Sequence, residues 1–162
     1  MVFIKACDIS NADTSNNMPC VFCDFVSKKK TENHGYPVIF LKEAKNTVSF
    51  LSIDFPEKED GHVLVIPKKH FPSLEDIPIN IEHELIEHVS AISKVLRKTH
   101  KGCNVLLNDG RAAGQRVNHT HFHIIPRDKG DKIKIELWKK KKMSVDQFKK
   151  LHAKIRKEIE KV

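Results

Sequence analysis

The sequence has no apolar run approaching the ~20 residues that a helix needs to cross a bilayer, so no membrane partner is expected. Its start, Met1-Val2-Phe3-Ile4-Lys5-Ala6-Cys7-Asp8, lacks a basic stretch followed by a signal-like apolar segment, and a cytoplasmic location is the default expectation. Cysteines are few: Cys7, Cys20, Cys23 and Cys103. Without a secretory signal they are not expected to form disulfides. No internal repeat is present, which sets aside solenoids and propellers. What remains is an ordinary globular composition, 162 residues with 40% hydrophobic and 31% charged side chains. That length suits one domain with short extensions.

Charge is unevenly placed. Residues 1–126 carry 15 basic and 15 acidic side chains, whereas 127–162 carry 14 basic and 6 acidic, so the net +8 sits entirely in the last segment. That segment includes Lys139-Lys140-Lys141-Lys142. Such a run is either a solvated surface or an attractor of phosphate-rich partners.

Residues 8–18 are polar and aperiodic, a loose N-terminal segment, and 28–35 form a second polar loop. Three strand-like runs follow at Pro37–Leu41, Thr47–Ile53 and His62–Ile66, the last two joined by a loop through Gly61. Ile81, Leu85, Val89, Ile92 and Leu96 recur at helical spacing and predict a helix over 80–100, with Asn80 as N-cap and Gly102 just past its end. Cys103–Leu107 reads as a further strand, and Asn108–Gln115 as a glycine-containing loop. Ser144-Val145-Asp146-Gln147 opens a C-terminal helix with a capping-box pattern, and Val145, Phe148, Leu151, Ile155 and Ile159 mark one of its faces. Strands and helices mix without regular βαβ alternation, which predicts α+β with a mainly antiparallel sheet.

The chemistry concentrates in His119-Thr120-His121-Phe122-His123-Ile124-Ile125. If this stretch is a strand, the three histidines share one face, and Thr120, Phe122 and Ile124 point to a core. Imidazole is a nucleophile, a proton carrier and a metal ligand near neutral pH. Two readings stay open from the residues alone: a three-imidazole metal site or nucleophilic histidine catalysis. Cys20-Val21-Phe22-Cys23 is likewise a redox pair, a metal half-site or two buried thiols.

The histidine stretch resembles the signature of the histidine triad (HIT) superfamily. The resemblance extends over roughly residues 19–127 and includes Asp54, Gly61-His62-Val63-Leu64-Val65-Ile66-Pro67-Lys68-Lys69-His70 and Ala113-Gly114-Gln115. It implies a five-stranded sheet with one long central helix, and a nucleotide hydrolase or nucleotidyl transferase that cleaves at an α-phosphate. His121 would be the nucleophile and form a nucleotidyl-histidine. His123 would contact phosphate oxygens or assist the leaving group. Asn108 and Gln115 match positions around the phosphate, and Asp54 matches the acceptor of the ribose hydroxyls; from the residues alone Asp54 could equally end a strand. His62 sits where a family histidine is often found near the nucleotide, with an ordinary strand role as the alternative. Two departures stand out. Arg116 replaces a Ser or Thr usual after the Gly-Gln pair, and Thr120 replaces a more usual apolar residue.

A subset of the family binds structural zinc, and by that resemblance the ligands would be Cys20, Cys23, His70 and His119. Such a Cys₂His₂ set closes a tetrahedral site with no position left for substrate. The expected partners are a purine nucleotide substrate (an AMP conjugate) and, by resemblance, a second copy in a homodimer. Two substrate types compete. Ile66-Pro67-Lys68-Lys69-His70 points to adenosine phosphoramidates, whereas Pro126-Arg127 and Arg116 point to dinucleoside polyphosphates. The alternative function is a non-catalytic nucleotide- or nucleic-acid-binding scaffold that uses the basic C-terminal segment.

Overall fold

The computed structural model describes residues 19–56, 61–135 and 141–161; the N-terminal segment 1–18 expected to be loose, which includes Cys7, and Lys139 and Lys140 lie outside these. The chain forms two compact units, one ending at Asp131 and one beginning at Lys132.

In the first unit a short helix, α1 (Val21–Val26), follows Cys20. A two-stranded hairpin pairs β1 (Glu32–Asn33), within the 28–35 segment expected to be a loop, with β2 (Tyr36–Pro37) just past it. Its tip places His34 at φ 50° and Gly35 at φ 82°. Two successive left-handed residues make the tight turn whose twist suits paired strands, and glycine meets that demand without strain.

The main sheet holds β3 (Phe40–Glu43), β4 (Thr47–Leu51), β5 (Val63–Pro67), β6 (Gly102–Leu107) and β7 (Phe122–Arg127), in the order β3-β4-β5-β7-β6. Every pairing is antiparallel, as the sequence predicts.

Register divides the side chains between two faces. Val48 lies opposite Ile66 and Phe50 opposite Leu64. These four meet Phe22 and Phe25 of α1 in one core. The alternate residues Val63 and Val65, with Phe122 and Ile124, meet Leu85, Val89 and Ile92 of α2 (Ile79–Leu96) in a second core. Burying each of the two α1 phenylalanines contributes about 1.5–3 kcal/mol, enough to hold a six-residue helix that would not form alone.

The helix expected over 80–100 starts one residue earlier and stops four earlier. Pro78, not Asn80, occupies the N-cap, and its carbonyl accepts from the amides of Ile81 and Glu82. The apolar spacing itself ends at Leu96, so nothing beyond it draws further turns onto the sheet. No helix among the described residues is long and apolar enough to cross a membrane.

A buried polar seam joins α2 to β4. The Thr47 hydroxyl donates to Glu84 Oε1 at 2.9 Å. It therefore accepts from His88 Nδ1 at 2.9 Å, and His88 Nε2 accepts from Ser49 Oγ at 3.0 Å. The Glu84 carboxylate also takes the Asn46 backbone and side-chain N–H groups, each at 2.8 Å. His88 is 1% exposed. Burial, reinforced by Lys42 and opposed by Glu84, holds its pKa down at about 4.

The unfolded chain binds this proton near pH 6.5 and the folded chain does not. Stability is therefore at its plateau above pH 6.5 and falls as pH drops from 6.5 toward 4. His88 is expected to contribute roughly 2–3 kcal/mol to that loss. Urea melts from pH 7.5 to 4.5 of the parent and of His88→Gln check it. A variant that keeps the parent's full pH slope would remove His88 as a cause.

The second unit contains α3 (Val145–Ile159). Ser144 Oγ accepts from the Gln147 amide, and Gln147 Oε1 accepts from the Ser144 amide. The capping box thus stands where the sequence places it.

Candidate active site and metal centre

The histidine stretch is not one continuous strand. β7 begins only at Phe122. Before it the His119 amide turns back onto the Val117 carbonyl, and Thr120 gives both its amide (2.7 Å) and its hydroxyl (3.0 Å) to the Phe71 carbonyl. This latch pulls 119–120 away from the β5 edge, so His119 does not join His121 and His123 as a third group of one cluster. The inward placement of Thr120, Phe122 and Ile124 is as expected, all three being buried.

His119 faces the N-terminal arm. Its Nδ1 lies 3.4 Å from Cys20 Sγ and 3.7 Å from Cys23 Sγ, and His70 Nδ1 lies 3.5 Å from Cys23 Sγ. The four ligand atoms are within 4.8 Å of one another. Metal bonds of about 2.0–2.3 Å in a tetrahedron give ligand edges of about 3.3–3.8 Å, so the spacing fits a bound cation.

Protonation fits as well. His119 Nε2 donates to the Pro67 carbonyl at 2.9 Å, which leaves the Nδ1 lone pair facing the thiols. Burial and the adjacent Cys20 push the Cys23 thiol up to about 12, so a bound cation would be needed to hold Cys23 as a thiolate at neutral pH. Among the described residues this is the one group of three or more His, Cys, Asp or Glu side chains arranged to hold a metal, and it excludes His121 and His123. The three-imidazole metal reading is thereby set aside.

His121 and His123 lie side by side, with ring centroids 4.9 Å apart. His121 Nδ1 donates to the His119 carbonyl at 2.7 Å. That bond fixes the tautomer and leaves Nε2 with a free lone pair. Burial lowers the His121 pKa, the His119 carbonyl opposes the shift and His62 adds to it, so the ring is neutral at pH 7. Phe22 presses against it edge to face at 5.2 Å and against His119 at 5.7 Å.

His123 is oriented from behind. His62 Nδ1 donates to the Asp54 carbonyl at 2.5 Å, so His62 Nε2 is an acceptor and takes the Nδ1 proton of His123 at 3.0 Å. His123 Nε2 is then a bare lone pair, buried and without a partner among the described residues. Burial, His121 and His62 hold the His123 pKa down at about 4. His62 owes its position to Gly61, whose φ of 109° no other residue adopts comfortably and whose added Cβ would meet Leu96 Cδ2 at 3.3 Å. Replacing His62 by Ala is expected to lower kcat by ~10–100-fold with a smaller change in KM. Steady-state kinetics check this, and an unchanged kcat would show His123 to be oriented without it.

The remaining expected residues divide. The exposed Asp54 anchors His62 through its carbonyl, and its carboxylate makes no hydrogen bond among the described residues. Asn108 is half-buried at the end of β6. Gln115 is buried, with Oε1 accepting from the Gly110 amide and Nε2 donating to the Pro72 carbonyl, both at 2.8 Å; it braces the 110–115 loop. Arg116 is exposed. Arg127 is tied to both carboxylate oxygens of Asp131 (2.6 and 2.9 Å) and to Asn104. Its guanidinium is already committed, so Pro126-Arg127 lends no weight to a polyphosphate substrate.

Two features escaped sequence reasoning. α1 hides in a CxxC pair, and its only signal is the aromatic content of Val21–Val26. The Glu84–Thr47–His88–Ser49 seam was legible only as Glu84 and His88 four apart and Thr47 and Ser49 two apart.

Residues 36–130 match the HIT domain. The chain is 33% identical over 155 residues to the adenosine 5'-monophosphoramidase of Candida albicans, covering 91% of this chain and 96% of that protein. Its fold matches the crystal structure of a histidine triad nucleotide-binding protein from Candida albicans with a TM-score of 0.74 at 33% identity, covering 88% of this chain and 99% of that one. It also matches a zinc-bound histidine triad family protein from Mycobacterium smegmatis, with a TM-score of 0.56 at 35% identity over 71% of this chain and 79% of that one. This chain belongs to the HIT family.

Proposed function

We propose that this protein is a nucleotide hydrolase that cleaves AMP conjugates at the α-phosphate through a nucleotidyl-histidine intermediate. The observation that carries the reading is the His121 Nδ1–H bond to the His119 carbonyl, which leaves a neutral, tautomer-fixed Nε2. In the first step His121 Nε2 attacks phosphorus, the bond to the leaving group breaks, and a P–N bond to the ring forms. The positive charge that develops on His121 is shared with the His119 carbonyl. His123 Nε2, a bare lone pair held toward the site by His62, would relay a proton from the substrate's phosphate oxygen to the leaving group, which departs neutral, and would take the proton of the attacking water in the second step before releasing it to solvent. Water then displaces His121 from phosphorus, releases the nucleoside monophosphate and restores the neutral ring.

Asp54 would accept from the ribose hydroxyls, since one carboxylate takes two donors. Asn108 and Gln115 would border the phosphate. Phosphoramidates are the favoured substrates, supported by the C. albicans relative's activity and by Arg127's engagement elsewhere.

Zinc is the metal that a Cys20, Cys23, His70 and His119 set suits best. Its role would be structural, tying α1 and the end of β5 to residue 119, with no ligand position left for substrate. A homodimer in the cytoplasm completes the reading. It is supported by the outer edge strand β6, with Val105 exposed, beside exposed Ile86 and Val95 of α2.

The test is hydrolysis of adenosine phosphoramidate and of diadenosine tri- and tetraphosphate side by side, with an alkaline quench to trap the acid-labile P–N adduct for intact-mass analysis. Turnover with an AMP adduct on His121 supports the reading. Turnover without an adduct, with water attacking directly, overturns the covalent mechanism, and no turnover on any of the three overturns the substrate assignment.

A further inference from the structure

α3 has no buried residue. Val145, Phe148, Leu151, Ile155 and Ile159 form one stripe along it, each between 43% and 68% exposed. The rest of its circumference is strongly basic. Arg156 pairs with Glu160 and Lys161 with Glu158. Lys149, Lys150, Lys154 and Lys157 have no ion-pair partner among the described residues. Residues 132–162 hold twelve basic against four acidic side chains and carry the chain's whole net charge of +8.

The occupant of this face must offer apolar depth and negative charge together. Two copies of α3 laid face to face would satisfy the stripe but crowd like charges. A nucleic acid would satisfy the charge but not the stripe. An anionic bilayer surface satisfies both: acyl chains take the apolar side chains, and lysine stems reach up to the headgroups. At 15 residues the helix is about 22 Å long, too short for the ~30 Å hydrocarbon core. It would therefore lie in the interface rather than span it, a requirement distinct from the long apolar run that the sequence lacks.

We propose that α3 is an interfacial anchor that lays its Phe148–Leu151–Ile155 face into an anionic lipid surface. The proposal is independent of the catalytic reading. The test uses the full chain and vesicles of phosphatidylcholine, alone or with about one part in three phosphatidylserine. Co-sedimentation is expected to be at least ~10-fold greater on the anionic vesicles and to fall steeply as NaCl rises from about 50 to about 500 mM. The single tryptophan, Trp138, lies seven residues before the helix, and its emission is expected to shift to the blue on binding.

Leu151→Asp, at an exposed position, should abolish binding while circular dichroism shows the fold retained. Lys150→Glu with Lys154→Glu should weaken it strongly. Absence of binding to anionic vesicles at low salt overturns the proposal. So does binding that survives Leu151→Asp and is matched by duplex DNA, which marks a simple polycation. A Leu151→Asp variant that turns a dimer into a monomer, with no vesicle binding by the parent, makes a second copy the occupant.

Discussion

Replacing His121 by alanine is expected to lower kcat by ~10⁴-fold or more, about 5 kcal/mol of transition-state stabilisation. In the proposed mechanism the lone pair of Nε2 is the reacting group, and no neighbour would substitute for it. His119 Nδ1 is turned to the thiols. His123 Nδ1 is bonded to His62, and its Nε2 is buried without a partner among the described residues. His121 is buried, so the alanine variant also leaves a cavity and should lose about 1–3 kcal/mol of stability. His121→Asn separates the two effects. Its amide can still donate toward the His119 carbonyl but cannot attack phosphorus, so it should melt closer to the parent and be equally inactive. Rates from coupled AMP release and melting curves decide. A His121→Asn protein that keeps a tenth of parental kcat would remove His121 as nucleophile.

Loss of the metal cluster is expected to have the second largest effect, on both stability and activity. Structural zinc contributes ~10–16 kcal/mol of apparent free energy in peptides that have no other core. Here two apolar cores already hold the sheet, so the metal adds to a fold that exists without it. For a site saturated about a thousandfold above its Kd the gain is about 4 kcal/mol, which for a chain of this size is roughly 10 °C in Tm. Cys23→Ser, or chelation, should produce that fall together with loss of one metal ion per chain by elemental analysis.

Activity should fall too, through residue 119. Its imidazole is one of the four groups spaced to hold a metal, while its carbonyl accepts from His121 Nδ1. Freeing the ligand therefore loosens the bond that sets the nucleophile's tautomer. Protein that carries no metal when purified and melts the same with and without chelator would sink the assignment. Retained kcat in a metal-free, folded variant would show instead that the carbonyl is held by the Phe71 latch alone.

Much of this was legible in the residues. Thr47–Leu51 and Val63–Pro67 are β-branched runs whose alternation suits a sheet with a core on each face, and both became neighbouring strands. The spacing of Leu85, Val89 and Ile92 marked the face of α2 that packs on them. Ser144 and Gln147 marked the start of α3. The family resemblance separated Cys20, Cys23, His70 and His119, as expected metal ligands, from His121 and His123, as expected catalytic residues; residue kind and spacing alone left the three histidines undivided. A strict period of two places His119 beside His121 and His123. The latch to Phe71 and the bond to Pro67 separate them, and both partners lie about fifty residues upstream. Similarly, Pro126-Arg127 looked available for phosphate until Asp131 and Asn104 closed around the guanidinium.

By itself the sequence determined local periodicity, the chemical character of the groups and the segregation of charge into the last thirty residues. Those properties belong to a residue and its near neighbours, and no folding is needed to see them. Only the tertiary structure decided which nitrogen of each histidine carries a proton, that Asp54 holds His62 through its backbone, and that Gln115 braces a loop. It also decided that His88 is buried neutral against Thr47 and Ser49. Each depends on which acceptor a distant strand presents at about 3 Å, and a hydrogen bond has no meaning until both partners are in place.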